Sequence, residues 1–188
     1  MLKLSKGHIY KYLQRCYAAV DGLWFVKTEE KLGFKKTLEI DKAVWKVMPK
    51  IQARALKAMA PKKGLKECFE TKLVLDGFKF KTSKLKGGGF DIKVSECPWH
   101  NILINAGRKK YADKIGSAIC TAEFPVWITE FNEPLAYELK GRICAGAKNC
   151  VLRFKTLKNN CTPSPRPLPR TARGAKAHPR GEREKGRG

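Results

Sequence analysis

The chain reads as an α+β domain: N-terminal helices, then an antiparallel sheet built from two hairpins with helices between them. Three observations predict it. Apolar residues recur at helical spacing over most of the first 75 residues. Two segments, Phe78-Lys-Phe-Lys-Thr82 and Phe90-Asp-Ile-Lys-Val-Ser95, then alternate with period two around Lys86-Gly-Gly-Gly89. A second pair, Tyr137–Ile143 and Cys150–Leu157, brackets the turn-forming Ala145-Gly-Ala-Lys-Asn149.

Residues 4–20 carry Leu4, Ile9, Leu13, Cys16, Tyr17 and Val20 near helical spacing. A helix-rich stretch from Asp21 follows, and Gly33 is a plausible end for it. Thr37 is placed to cap a further helix whose apolar face takes in Ile40, Val44, Trp45, Met48, Ile51, Ala55 and Met59. Pro49 should kink or split that helix. Residues 63–74 form a short helix with Leu65, Phe69 and Leu73 inward. Pro98 suits the first turn of a helix ending near Gly107. A longer helix, bent near Pro125, covers about 111–130. Trp24 and Trp45 are expected to be buried in one helical core.

Composition sets the organisation. Of the 188 residues, 43% are hydrophobic, enough for a globular core. Residues 1–158 hold 27 Lys and 5 Arg, whereas residues 159–188 hold 2 Lys, 6 Arg and five Pro with almost no large apolar side chain. The reading is one domain over 1–158 and a disordered basic tail over 159–188. Three origins of the tail stay open: a nucleic-acid-binding arm, an inert extension, or translation out of frame. No apolar run approaches the ~18 residues of a membrane span, and the first ten residues lack the apolar stretch of a signal peptide. A cytoplasmic location is expected. Seven cysteines in irregular spacing do not make a secreted disulfide framework. The net charge of +23 admits anionic partners. The lysines are spread along the domain rather than grouped with aromatics, so nucleic acid is not the favoured partner.

Four cysteines in the second half are the candidates for chemistry. Cys97 stands at a strand-to-helix junction, where the helix dipole favours a thiolate. It is the candidate nucleophile, with Cys120 nearby and His100 or Glu123 handling protons. Cys97, Cys120, Cys144 and Cys150 could instead hold zinc or another thiolate-bound metal, although no CxxC knuckle is present. A third reading has these thiols simply lining an apolar pocket. Asp21, Glu29, Glu30 and Asp41 stand out in a Lys-rich chain. They serve either as caps and surface ion pairs or as acid–base and cation-binding groups in a cleft. Trp24, Trp99, Asp21, Glu30 and Asp41 are the expected pocket residues. Lys86-Gly-Gly-Gly89 lacks the order of a phosphate loop and is read as a hairpin turn.

Two stretches carry a family resemblance. Residues 21–33 with Thr37–Trp45 are similar to the start of an uncharacterised prokaryotic cytosolic protein family. Cys97-Pro-Trp99 through Cys120, Phe131-Asn-Glu-Pro-Leu135, Cys144-Ala-Gly146 and Cys150-Val-Leu-Arg-Phe154 resemble the C-terminal half of the L-2-amino-thiazoline-4-carboxylic acid hydrolase family. The same run is similar, more weakly, to 4-vinyl-reductase-type small-molecule-binding domains. The resemblance implies an α+β fold and a ligand pocket near Cys97 and Cys120. It implies either hydrolysis of a C–N bond in a small cyclic or amide-like substrate, or binding of a small ligand or metal without catalysis. Family members tend to carry an acidic residue just after Gly146, where this chain has Ala-Lys-Asn.

Overall fold

The computed structural model describes residues 2–157; the expected tail, with Cys161, lies outside the described residues. Five helices and four strands follow in the order α1 (Lys6–Val44), α2 (Met48–Met59), α3 (Leu65–Asp76), β1 (Lys79–Lys84), β2 (Gly89–Glu96), α4 (Pro98–Asn105), α5 (Ala112–Phe131), β3 (Leu135–Lys140) and β4 (Cys150–Thr156). This is the α+β arrangement expected from the alternation of periods.

The first half is a long helical run with two interruptions. Ser5 caps α1, its hydroxyl accepting the His8 N–H at 3.2 Å. Gly33 breaks the run with φ 77° and ψ 160°, a conformation that only glycine adopts cheaply. Thr37 is not a cap: it lies inside the second segment of α1, buried, with its hydroxyl donating to the Gly33 carbonyl at 3.0 Å. Pro49 splits the chain as its ring requires, and it occupies the first turn of α2 after the break at 45–47.

The sheet is antiparallel throughout, ordered β1-β2-β4-β3, so β1 and β3 are its edges. The glycine run earns its place in the β1–β2 turn. A Cβ on Gly89 would come within 2.0 Å of the Phe154 carbonyl oxygen, and its φ is +89°. Alternate residues Phe90, Ile92 and Val94 of β2 and Leu152 and Phe154 of β4 point to one face. That face meets Leu65, Phe69 and Leu73 of α3 and Phe124 and Trp127 of α5, all buried. Phe69 is the hub, edge-on to Phe124, Trp127 and Phe154 at centroid distances of 5.6, 5.2 and 5.3 Å. On the opposite face Arg153 forks onto Asp91, its directly paired neighbour, with Nε–Oδ1 at 2.7 Å.

Two expectations about the core fail. Trp45 is buried, but Trp24 is 67% exposed, because it lies on the side of α1 turned away from the body. Of the broad apolar face expected over 37–59, Ile40, Val44, Ile51 and Met59 are also exposed. No helix among the described residues is long and apolar enough to cross a membrane.

Phe69→Ala should lower unfolding free energy by about 3–5 kcal/mol, the usual range for a truncated core aromatic, read by urea denaturation. A loss below 1 kcal/mol would mean that the three edge-on contacts do not organise the core.

Candidate functional site

The helices leave a cavity of about 480 Å³ between them and the sheet. Its walls come from Ala18–Val26 and Asp41 of α1 with Trp45 at its end, from α4, from α5 between Ala112 and Phe124, and from Ile143, Cys144 and the first residue of β4, Cys150. Most of the lining is aliphatic or aromatic. Small residues keep it open: a Cβ on Gly116 of α5 would lie 2.7 Å from the Cys144 Sγ.

Most of the residues singled out in the sequence come together here. Cys97, Cys120, Cys144, Cys150, His100, Glu123, Asp21, Asp41 and Trp99 all line this one cavity. Two do not. Trp24 is exposed on the outer side of α1, and Glu30 makes a surface ion pair with Lys27 at 2.8 Å. Glu29 also pairs, with Arg108, whose guanidinium lies over the rings of Phe25 and Tyr111.

The thiols do not behave as the helix dipole suggests. Cys97 does precede α4, and the backbone N–H groups of His100 and Trp99 face its sulfur. Burial outweighs them and pushes its pKa up to about 11. The same desolvation raises Cys120 well above the ordinary thiol value, and raises Cys144 and Cys150 as well. At neutral pH these are protonated thiols. Among the described residues no side-chain base hydrogen-bonds Cys97, and the Cys150 sulfur instead accepts the Ile143 N–H at 3.2 Å. The metal reading fails on geometry: among the described residues no three His, Cys, Asp or Glu side chains gather as a metal-binding group. The four cysteines sit on α4's cap, α5, a short turn and β4, and they share a cavity without converging on one point.

The polar groups divide into two sets. Asp21 and Asp41, both on α1 and on either side of its break, face each other beside the Trp45 indole. Burial raises Asp21, with Trp45 partly offsetting it. Burial and then the neighbouring Asp21 raise Asp41 to about 7. Among the described residues neither carboxylate has a Lys or Arg ion-pair partner, an unusual state in a chain of net charge +23. Trp99 stands edge-on to both Trp45, at 5.5 Å, and Tyr17, at 5.9 Å, so the rim near the carboxylates is aromatic.

The second set was not foreseen. Lys72 of α3 is 2% exposed and pairs with Glu123 of α5 and with Asp76, at 3.1 Å, one turn further along α3. Its ammonium also lies over Phe78 and Phe124 at 5.4 and 5.5 Å. Burial alone would lower its pKa, but the two carboxylates outweigh burial and raise it. Glu123 therefore meets a fixed cation rather than the Cys97 sulfur. His100 Nδ1 is buried and has no hydrogen-bond partner among the described residues.

Comparison of this chain with protein-family models, with curated proteins and with solved structures finds no match.

Lys72→Met should destabilise the fold by roughly 3–5 kcal/mol, because Glu123 and Asp76 then keep buried charge without a counter-ion. The double variant with Glu123→Leu should recover part of that loss, as read by denaturant titration. A single variant as stable as the parent would show that the pair is solvated.

Asp41 gives a pH signature. Its folded pKa of about 7 lies above the ordinary 3.8, so the folded state binds this proton more tightly. Its favourable contribution is complete below the ordinary value and is lost as pH rises through about 7. Asp41→Asn should therefore raise Tm relative to the parent at pH 8 and change it less at pH 5. A difference of about 2–4 °C between the two pH values corresponds to ~1 kcal/mol in a chain of this size. Equal shifts at both would mean that Asp41 is an ordinary surface carboxylate.

Proposed function

We propose that this protein is a non-catalytic binding module for a small, largely apolar molecule carrying one cationic nitrogen. The observation that carries this reading is the cavity of about 480 Å³, apolar over most of its wall, with two carboxylates that have no basic partner among the described residues and stand beside aromatic rings. A volume of this size suits a drug-sized ligand, for which apolar contact supplies affinity and a few polar groups fix orientation. A protonated amine would place its charge between Asp21 and Asp41 and against the faces of Trp45 and Trp99. It would offset the burial and the Asp21 repulsion that together raise Asp41, so binding and ionisation would reinforce each other.

The C–N hydrolase reading has less support. It asks for a thiolate at Cys97, and burial holds that thiol protonated at neutral pH. It also asks for a base in reach: Glu123 is engaged by Lys72, and among the described residues the His100 ring makes no hydrogen bond to Cys97. The cysteines fit better as apolar wall.

The test is a matched pair of probes, 4-phenylbutylamine and 4-phenylbutanol, titrated into the full chain at pH 8 by calorimetry. The amine should bind at least about tenfold more tightly than the alcohol, equivalent to ~1.4 kcal/mol. Asp41→Asn should remove most of that preference. Equal binding of both probes would refute the cationic group, and binding of neither would refute the site.

A further inference from the structure

We propose that α1 pairs antiparallel with α1 of a second copy of this chain, forming a dimer through its outward face. The helix has two faces with opposite fates. Phe25 is buried, and with Ala18 and Asp21 it turns toward the cavity. Away from these, Ile9, Leu13, Cys16, Val20 and Leu23 follow one another at spacings of four, three, four and three residues, with Leu13 and Leu23 at the edges of the stripe where they also border the domain's cavities. That is the seam of a coiled coil, which a helix meeting only its own domain has no reason to keep.

This seam is open. Ile9, Leu13, Val20 and Leu23 are between 45% and 67% exposed, and Tyr12 and Trp24 flank them at 64% and 67%. Single exposed apolar residues need no explanation, but a contiguous stripe ending in a tryptophan does. These six side chains leave on the order of 700 Å² uncovered, close to the ~800 Å² per partner of a standard stable interface. The stripe stops before Gly33, where the first segment of α1 breaks.

The charges at the ends select the occupant and its direction. Continuing the same spacing reaches Lys6 one step before Ile9, and Lys27 and Glu30 one and two steps after Leu23. In an antiparallel pair Leu13 meets Leu23 of the second copy and Cys16 meets Val20 of the second copy. Lys6 then falls opposite Glu30 of the second copy at both ends, and Ile9 falls opposite Lys27 of the second copy, whose methylene stem can lie along it while its ammonium stays on Glu30 of its own chain. In a parallel pair Lys6 would meet Lys6 and Glu30 would meet Glu30, in chains that already carry +23 each. Self-complementarity of one patch is also what a two-fold dimer requires.

The experiment uses the full chain in sedimentation equilibrium. The parent should sediment at twice its 21.2 kDa. Leu13→Glu and Val20→Glu should each weaken association by about 30-fold or more, the effect of losing one interface anchor. Both positions are exposed, so an unchanged near-ultraviolet circular dichroism spectrum separates lost pairing from lost folding. Val20→Cys under mild oxidation should give a covalent dimer in which mass spectrometry maps the introduced thiol to Cys16 of the other copy. A parent that stays monomeric across the accessible concentration range overturns the proposal. Cross-links joining only like positions overturn the antiparallel direction.

Discussion

The buried ammonium of Lys72 holds the structure in register. It ties α3 to α5 through Glu123 and closes on Asp76 one turn along its own helix, between the rings of Phe78 and Phe124. A buried ion pair is not an efficient source of stability, since apolar side chains of similar volume often do as well or better. What it supplies is position. Only one rotation of α5 about its axis brings Glu123 to that cation, and the same rotation sets Cys120 and Gly116 on the cavity wall and Trp127 against Phe69. The site and the aromatic core are thus two consequences of one contact.

Much of the fold was legible because period and punctuation agree. Alternation through Phe90, Ile92 and Val94, glycine at 89 and proline at 49 and 98 each constrain the backbone directly, and elements form where those residues demand. Thr37 misled because its hydroxyl has two uses. It can cap a helix or bond back to the carbonyl four residues earlier, and here it does the latter. The site was legible in membership but not in chemistry. Cys97 does stand at a helix start, but the sequence does not reveal how deep that start lies, and depth decides between thiolate and thiol.

What stayed hidden has a common cause. Lys72 is one lysine among many and carries no local mark of burial; its partners lie on another helix and beyond the next turn. Trp24 has the reverse problem. A tryptophan amid Leu23, Phe25 and Val26 reads as core, but of these only Phe25 is buried, and Trp24 alone does not line the cavity. Amphipathic spacing shows that a helix has an apolar face and not which molecule covers it. Asp21 and Asp41 were visible as rare acids; their proximity depends on how the two segments of α1 meet at Gly33, which periodicity does not describe.

The order of strands has a consequence for how such a chain stays apart from its neighbours in a crowded solution. Both rims of the sheet present unpaired amide groups, the usual template for uncontrolled stacking of one sheet on another. Here β1 offers Lys79, Lys81 and Lys84, and β3 ends on Lys140, with Glu138 held between Lys140 and Lys155. A β1 strand arriving from a like molecule at this β1 edge would bring lysine against lysine. The rims therefore act as electrostatic bumpers, and they keep the ladder at four strands.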